Sequence, residues 1–110
     1  MNHNPISIPQ LGAALALEQL LRESEHLPLI DWTVTAEGAL TGRVANERVD
    51  MRAVIDEYAE VLGGLPRETR YAHRDGTPMY MATLATTWRD VTVVVTVIGR
   101  AALVRTAVAV

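Results

Sequence analysis

The sequence predicts an α+β fold in which two helix-plus-hairpin units share one antiparallel sheet. Both helices are expected on one face, and an additional C-terminal strand completes the sheet. Three observations predict this: two segments with helical apolar spacing, apolar alternation around two acidic-Gly turns, and recurrence of these marks 38 residues apart.

The first helix begins near Ser7, which has capping-box spacing to Gln10, with Pro9 tolerated in the first turn. Leu11, Leu15, Leu17, Leu20 and Leu21 form a broad apolar stripe, with Glu18, Glu23 and Glu25 outward. His26 sits where a cation favours a helix C-terminus, and Leu27-Pro28 ends the helix because proline cannot continue it. Ile30, Trp32 and Val34 then alternate with Asp31, Thr33 and Thr35. Ala36-Glu37-Gly38 reads as a three-residue hairpin loop. That loop sets Val34 opposite Leu40, Trp32 opposite Gly42 and Ile30 opposite Val44, all on one face, with Gly42 leaving room for the indole.

Asp50 is the N-cap of the second helix. Met51, Val54, Ile55, Tyr58, Val61 and Leu62 are spaced as its buried stripe, and Gly63-Gly64 as its C-cap. A polar strand over 67–74 leads to Asp75-Gly76, read as a two-residue hairpin turn that places Tyr71 opposite Tyr80. Met79 to Trp88 returns, and Arg89-Asp90 turns into Val91 to Gly99. A two-residue turn there sets Trp88 opposite Val91, Thr86 opposite Val93 and Leu84 opposite Val95. Tyr71, Tyr80, Ala82, Leu84, Trp88, Val91, Val93, Val95 and Val97 then line the face under the helices. The other face shows Met79, Met81, Ala85, Val94 and Ile98 among threonines. A sheet with apolar character on both sides usually has something against each side. These five residues are the candidate interface, and a homodimer or another protein is the expected partner.

The repeat is visible residue by residue. Leu27-Pro28 recurs as Leu65-Pro66, Glu37-Gly38 as Asp75-Gly76, and Leu17-Glu18 as Ile55-Asp56. The chain reads as one domain, with units over 8–45 and 50–88, an extra strand over 91–99 and an apolar tail over 100–110. That tail is open between an edge strand, a short helix and a segment donated to a partner.

Composition narrows the chemistry. The 110 residues include no cysteine, which excludes disulfides, thiolate nucleophiles and thiolate metal sites. A cytoplasmic setting is the simplest expectation, and the first seven residues lack the basic-then-apolar pattern of a signal peptide. The apolar stretch 91–110 carries Arg100 and Arg105 and is β-branched at its start, which argues for a strand and against a membrane helix. Charge is polarised. Residues 1–65 hold 4 arginines against 10 acids, and residues 66–110 hold 6 arginines against 3 acids. Such polarity steers a partner, or lets two copies dock head to tail.

No residue set carries a catalytic signature, and no cofactor is expected. The only serines, Ser7 and Ser24, lie outside any nucleophile-elbow pattern. Gly63-Gly64 ends a helix and so does not cradle phosphate. His73-x-Asp75 supplies two ligands in a tight turn, too few for a metal site. Two further readings stay open. A cleft between the units would make a small enzyme or ligand binder, with Tyr58, Tyr71, His73 and Trp88 as candidate lining. Arg70, Arg74 and Arg89, if they share the face away from the helices, would suit single-stranded nucleic acid. The net charge of −3 opposes that reading, so nucleic acid is not the expected partner.

The run Leu27-Pro28 to Trp32, Gly38-x-Leu40-x-Gly42 and Leu62-Gly63-Gly64 resembles a loose group of small actinobacterial proteins, several carried by phage-like or mobile elements. The resemblance implies no activity. The αββαββ order is also similar to the pterin-carbinolamine dehydratase fold. That family's His pair before a proline is absent from Gly63-Gly64-Leu65-Pro66, so its activity does not carry over.

Overall fold

A computed structural model describes residues 7–105. Helix α1 (Ser7–Glu23) precedes strands β1 (Asp31–Val34) and β2 (Leu40–Ala45). Helix α2 (Met51–Leu62) precedes β3 (Arg67–Ala72), β4 (Pro78–Trp88) and β5 (Val91–Arg100). The fold is α+β, with both helices on one face of an open five-stranded sheet. A single 3-10 turn, Ala101–Leu103, follows β5. Residues 106–110 of the apolar tail lie outside the described residues.

The sheet order is β1-β2-β5-β4-β3, and this corrects the expectation of an antiparallel sheet. The two hairpins do not pair with each other. The C-terminal strand β5 enters between them, parallel to β2 and antiparallel to β4, so the sheet is mixed. The reason is burial. Val93, Val95 and Val97 are fully buried on the helix side, and Val94, Thr96 and Ile98 are half-buried on the other. A strand apolar on both faces belongs at the centre of a sheet.

The helix-side core joins Ala13, Ala16 and Leu20 of α1, the α2 stripe, and Leu40, Tyr80, Ala82, Leu84, Val91, Val93, Val95 and Val97 of the sheet. The α2 stripe is the expected one, with Met51, Val54, Ile55, Tyr58 and Leu62 buried. The cap is also as expected: Asp50 Oδ1 accepts from the Arg52 and Ala53 N–H groups at 2.9 and 3.2 Å. For α1 the expected stripe is corrected. Leu20 is buried, but Leu11, Leu15 and Leu21 are more than half exposed. Leucines surround this helix, and its buried side carries Ala13, Ala16 and Leu20, with Ser24 buried just past its end. The helix also ends at Glu23, four residues before Leu27-Pro28, in a turn closed by the Leu27 N–H donating to Ser24 O at 3.1 Å.

The first hairpin has the expected register, with Trp32 opposite Gly42 and Val34 opposite Leu40. A Cβ on Gly42 would lie 2.5 Å from Ile30 Cδ1 and 3.0 Å from Trp32 Cζ3, so only glycine fits there. The β4–β5 turn also matches, with Trp88 opposite Val91. The β3–β4 register is corrected by one residue. His73 N–H donates to Thr77 O and Gly76 N–H to His73 O, both at 2.8 Å, so the loop is Arg74-Asp75-Gly76. It repeats the loop at Ala36-Glu37-Gly38, where Thr35 N–H donates to Ala39 O and Gly38 N–H to Thr35 O. Tyr71 therefore faces Met79, Arg70 faces Tyr80, and Tyr71 leaves the helix side for the opposite face.

Candidate functional site

Two surfaces have the character of a site: the sheet face away from the helices, and a groove beside the α1–β1 connection. The outer face follows from register. One row crosses all five strands as Asp31, Arg43, Thr96, Thr83 and Arg67. The next rows carry Ala45, Ile98, Met81 and Thr69, then Arg100, Met79 and Tyr71. On the other side of the charged row lie Thr33, Thr41, Val94 and Ala85. All five expected interface residues thus share this face. Met79 is buried among its neighbours, Met81, Val94 and Ile98 are half-buried, and Ala85 is exposed. Among the described residues neither α-helix nor any further strand covers them. A shallow depression of about 440 Å³ opens on the β1–β2 side, lined by Asp31, Thr33, Thr41, Arg43, Val94 and Thr96.

The groove holds about 230 Å³ between α1 and the Leu27–Ile30 connection, with Trp32 and Tyr58 among its lining. The two rings meet edge to face, 6.1 Å between centroids. The Tyr58 hydroxyl donates to the Pro28 carbonyl, which pins the connection to α2. Burial pushes that hydroxyl's pKa up to about 12. It is a structural donor at neutral pH and not a proton-transfer group.

The four proposed cleft residues do not converge. Tyr58 lines the groove. Trp88 lies at the β4–β5 turn beneath Arg89, whose guanidinium carbon is 4.3 Å from its ring centroid. Tyr71 and His73 are exposed on and beside β3, His73 with Nδ1 3.7 Å from Asp75 Oδ1. The Asp75 carboxyl is held low by its bonds to Thr77, not chiefly by His73.

The three arginines do not share the outer face either. Arg70 turns to the helix side, its guanidinium carbon 5.6 Å from the Tyr80 ring centroid. Arg74 stands exposed in the β3–β4 loop. Arg89 grips α1, donating to Gln19 Oε1 at 2.7 Å and to both Glu23 oxygens at 2.8 and 2.5 Å. These bonds hold the Glu23 carboxyl below the usual carboxylate range and raise the guanidinium.

Sequence reasoning missed one polar cluster. Glu68 accepts from the Tyr80 hydroxyl at 2.5 Å and pairs with Arg52 Nε at 3.0 Å, tying the edge strand β3 to α2. Burial and the neighbouring Glu68 raise the Tyr80 hydroxyl. The one-residue register change hid it, since it moved Glu68 to the helix side. Among the described residues no three His, Asp or Glu side chains gather as metal ligands, and no helix is long and apolar enough to cross a membrane. The chain matches no protein-family model, no curated protein and no solved structure.

Proposed function

We propose that this protein is a small interaction or regulatory accessory module, not an enzyme, that self-associates through its outer sheet face. One observation carries the reading: the two central strands present Met81, Val94 and Ile98 on a face that neither helix covers. Leaving that strip in water forgoes burial worth roughly 25 cal/mol per Å² of apolar surface, and a second copy recovers it. The threonines between the apolar rows, Thr83 and Thr96 among them, keep the single copy compatible with water.

The test is mass by light scattering over a concentration series. The wild type is expected as a dimer, and Met81→Glu as a monomer with unchanged circular dichroism. A wild type that stays monomeric at high concentration removes the reading.

Ligand binding is the second reading, and the groove beside Trp32 and Tyr58 favours it. An apolar ligand of modest size would quench Trp32 emission on entering, and Leu21→Glu, which puts a charge in the groove's lining, would abolish that response.

A further inference from the structure

We propose that the groove beside the α1–β1 connection binds a small organic cation, a quaternary ammonium carrying an apolar substituent. The inference rests on the ligand-binding reading of that groove and names the chemical class it takes. It is independent of self-association through the outer face.

The lining sets the sign of the charge. Glu25 is its only charged residue. Glu25 is exposed and has no ion-pair partner among the described residues. The arginines that lie on or against α1 are committed to other acids, Arg22 to Glu18 at 3.4 Å and Arg89 to Glu23 at 2.5 Å. A second carboxylate, Glu57, adds to burial in raising the Tyr58 hydroxyl, so its charge is felt at the groove. An anion entering there meets like charge, and a cation meets opposite charge. The surrounding part of the chain, residues 1–65, holds 10 acids against 4 arginines, which draws cations toward the same site.

The aromatic pair adds a surface that favours cations. Trp32 and Tyr58 both line the groove, their planes 64° apart and their centroids 6.1 Å apart. Two rings at such an angle form a corner, and an aromatic face attracts a cation that lies within about 6 Å of its centroid. The corner is built before any ligand arrives. Gly42 abuts the six-membered ring of Trp32, and the Tyr58 hydroxyl is fastened to the Pro28 carbonyl. Such preorganisation lowers the ordering cost of binding.

Hydrogen bonding selects the kind of cation. The Tyr58 hydroxyl already donates to Pro28, so it offers no proton to an anion. The other polar side chains of the lining are Ser24 and Glu25, among leucines, isoleucine and proline. A primary ammonium brings three N–H donors that need acceptors, whereas a quaternary ammonium brings none. The alkylated cation therefore gives up fewer hydrogen bonds on entering. The volume, about 230 Å³, lies below the roughly 300–1,000 Å³ of sites for drug-sized ligands, so the occupant is small.

The probes are benzyltrimethylammonium and neopentylbenzene, which share one shape and differ by carbon in place of the charged nitrogen. Binding to the full chain is read by calorimetry, and by Trp32 emission in Trp88→Phe, where Trp32 is the one tryptophan left. The cation should bind about tenfold more tightly than its neutral isostere. Glu25→Gln, a change at an exposed position, should weaken the cation about fivefold and leave the neutral probe unchanged. Leu21→Glu should turn away the neutral probe and keep the cation. If both probes bind alike and Glu25→Gln alters neither, the groove takes ligands but the cation class is wrong. If the cation binds as well to Trp32→Leu as to wild type, its site is elsewhere and the proposal falls. If neither probe gives heat or moves Trp32 emission, the ligand-binding reading of the groove fails with it.

Discussion

At the scale of single residues, two positions show how local chemistry fixes the path of the chain. Gly42 has no space for a methyl group, because Trp32 of β1 and Ile30 just before it fill the site. Gly42→Ala should cost about 1–3 kcal/mol through overpacking, read as a lower urea midpoint. This role was visible in the sequence, where the three-residue loop and the alternation together put glycine opposite tryptophan. The role of Tyr58 was not. Its spacing marks it as buried, but nothing local says that its hydroxyl reaches the Pro28 carbonyl, thirty residues away. Tyr58→Phe leaves that carbonyl without its donor and should cost about 1 kcal/mol. Burial of the same hydroxyl has a pH signature. The hydroxyl's pKa is raised to about 12 in the folded state from about 10 unfolded, so the folded state holds its proton more tightly. That contribution is complete below pH 10 and is lost as pH rises through 12. Between those values urea stability of the wild type should fall more steeply than that of Tyr58→Phe. Parallel curves would remove the role assigned to the hydroxyl.

At the scale of elements, the turns decide register. The β4–β5 turn has no glycine, yet Arg89 and Asp90 both sit at positive φ, +50° and +66°. Left-handed backbone costs an ordinary residue roughly 1 kcal/mol. Arg89 offsets that cost by holding Gln19 and Glu23 of α1 and lying over Trp88. Asp90 makes no side-chain hydrogen bond or ion pair among those found in the described residues. Asp90→Gly should therefore raise stability by about 1 kcal/mol, measured by urea unfolding, whereas Arg89→Gly should not, because it gives up the grip on α1. The β3–β4 turn shows what sequence can and cannot disclose. Asp75-Gly76 looks like a two-residue turn, and that reading shifts every β3 side chain to the wrong face. The repeat held the correct answer, since Glu37-Gly38 closes a three-residue loop 38 residues earlier and Asp75-Gly76 closes the same loop. Helix α1 exposes a different limit. Its leucines lie all round, so apolar spacing locates the helix but does not choose its buried side. Burial falls instead on the side of Ala13, Ala16 and Leu20, which a count of leucines does not single out.

At the scale of the whole molecule, the decisive event is the entry of β5 between two hairpins. Its partner β2 lies some fifty residues earlier, and a pairing so distant leaves no mark in local sequence. What does mark it is the run Val91, Val93, Val95 and Val97 alternating with Val94 and Ile98, a strand that is apolar on both sides. The helices satisfy one side. The other side remains as the central strip of the outer face, so the same residues that put β5 in the middle of the sheet also create the surface proposed for self-association. Folding and association are then linked, because a second copy that binds only the folded chain stabilises it by mass action. The thermal midpoint should rise with protein concentration. For a chain of this size, each kcal/mol gained by association is worth roughly 4–8 °C, so a hundredfold concentration series gives a readable slope. Met81→Glu should abolish the slope, and its midpoint should match that of the wild type at high dilution. A midpoint that ignores concentration in the wild type would mean that the outer face of β5 meets only water, and its apolar residues would then serve only to hold that strand at the centre of the sheet.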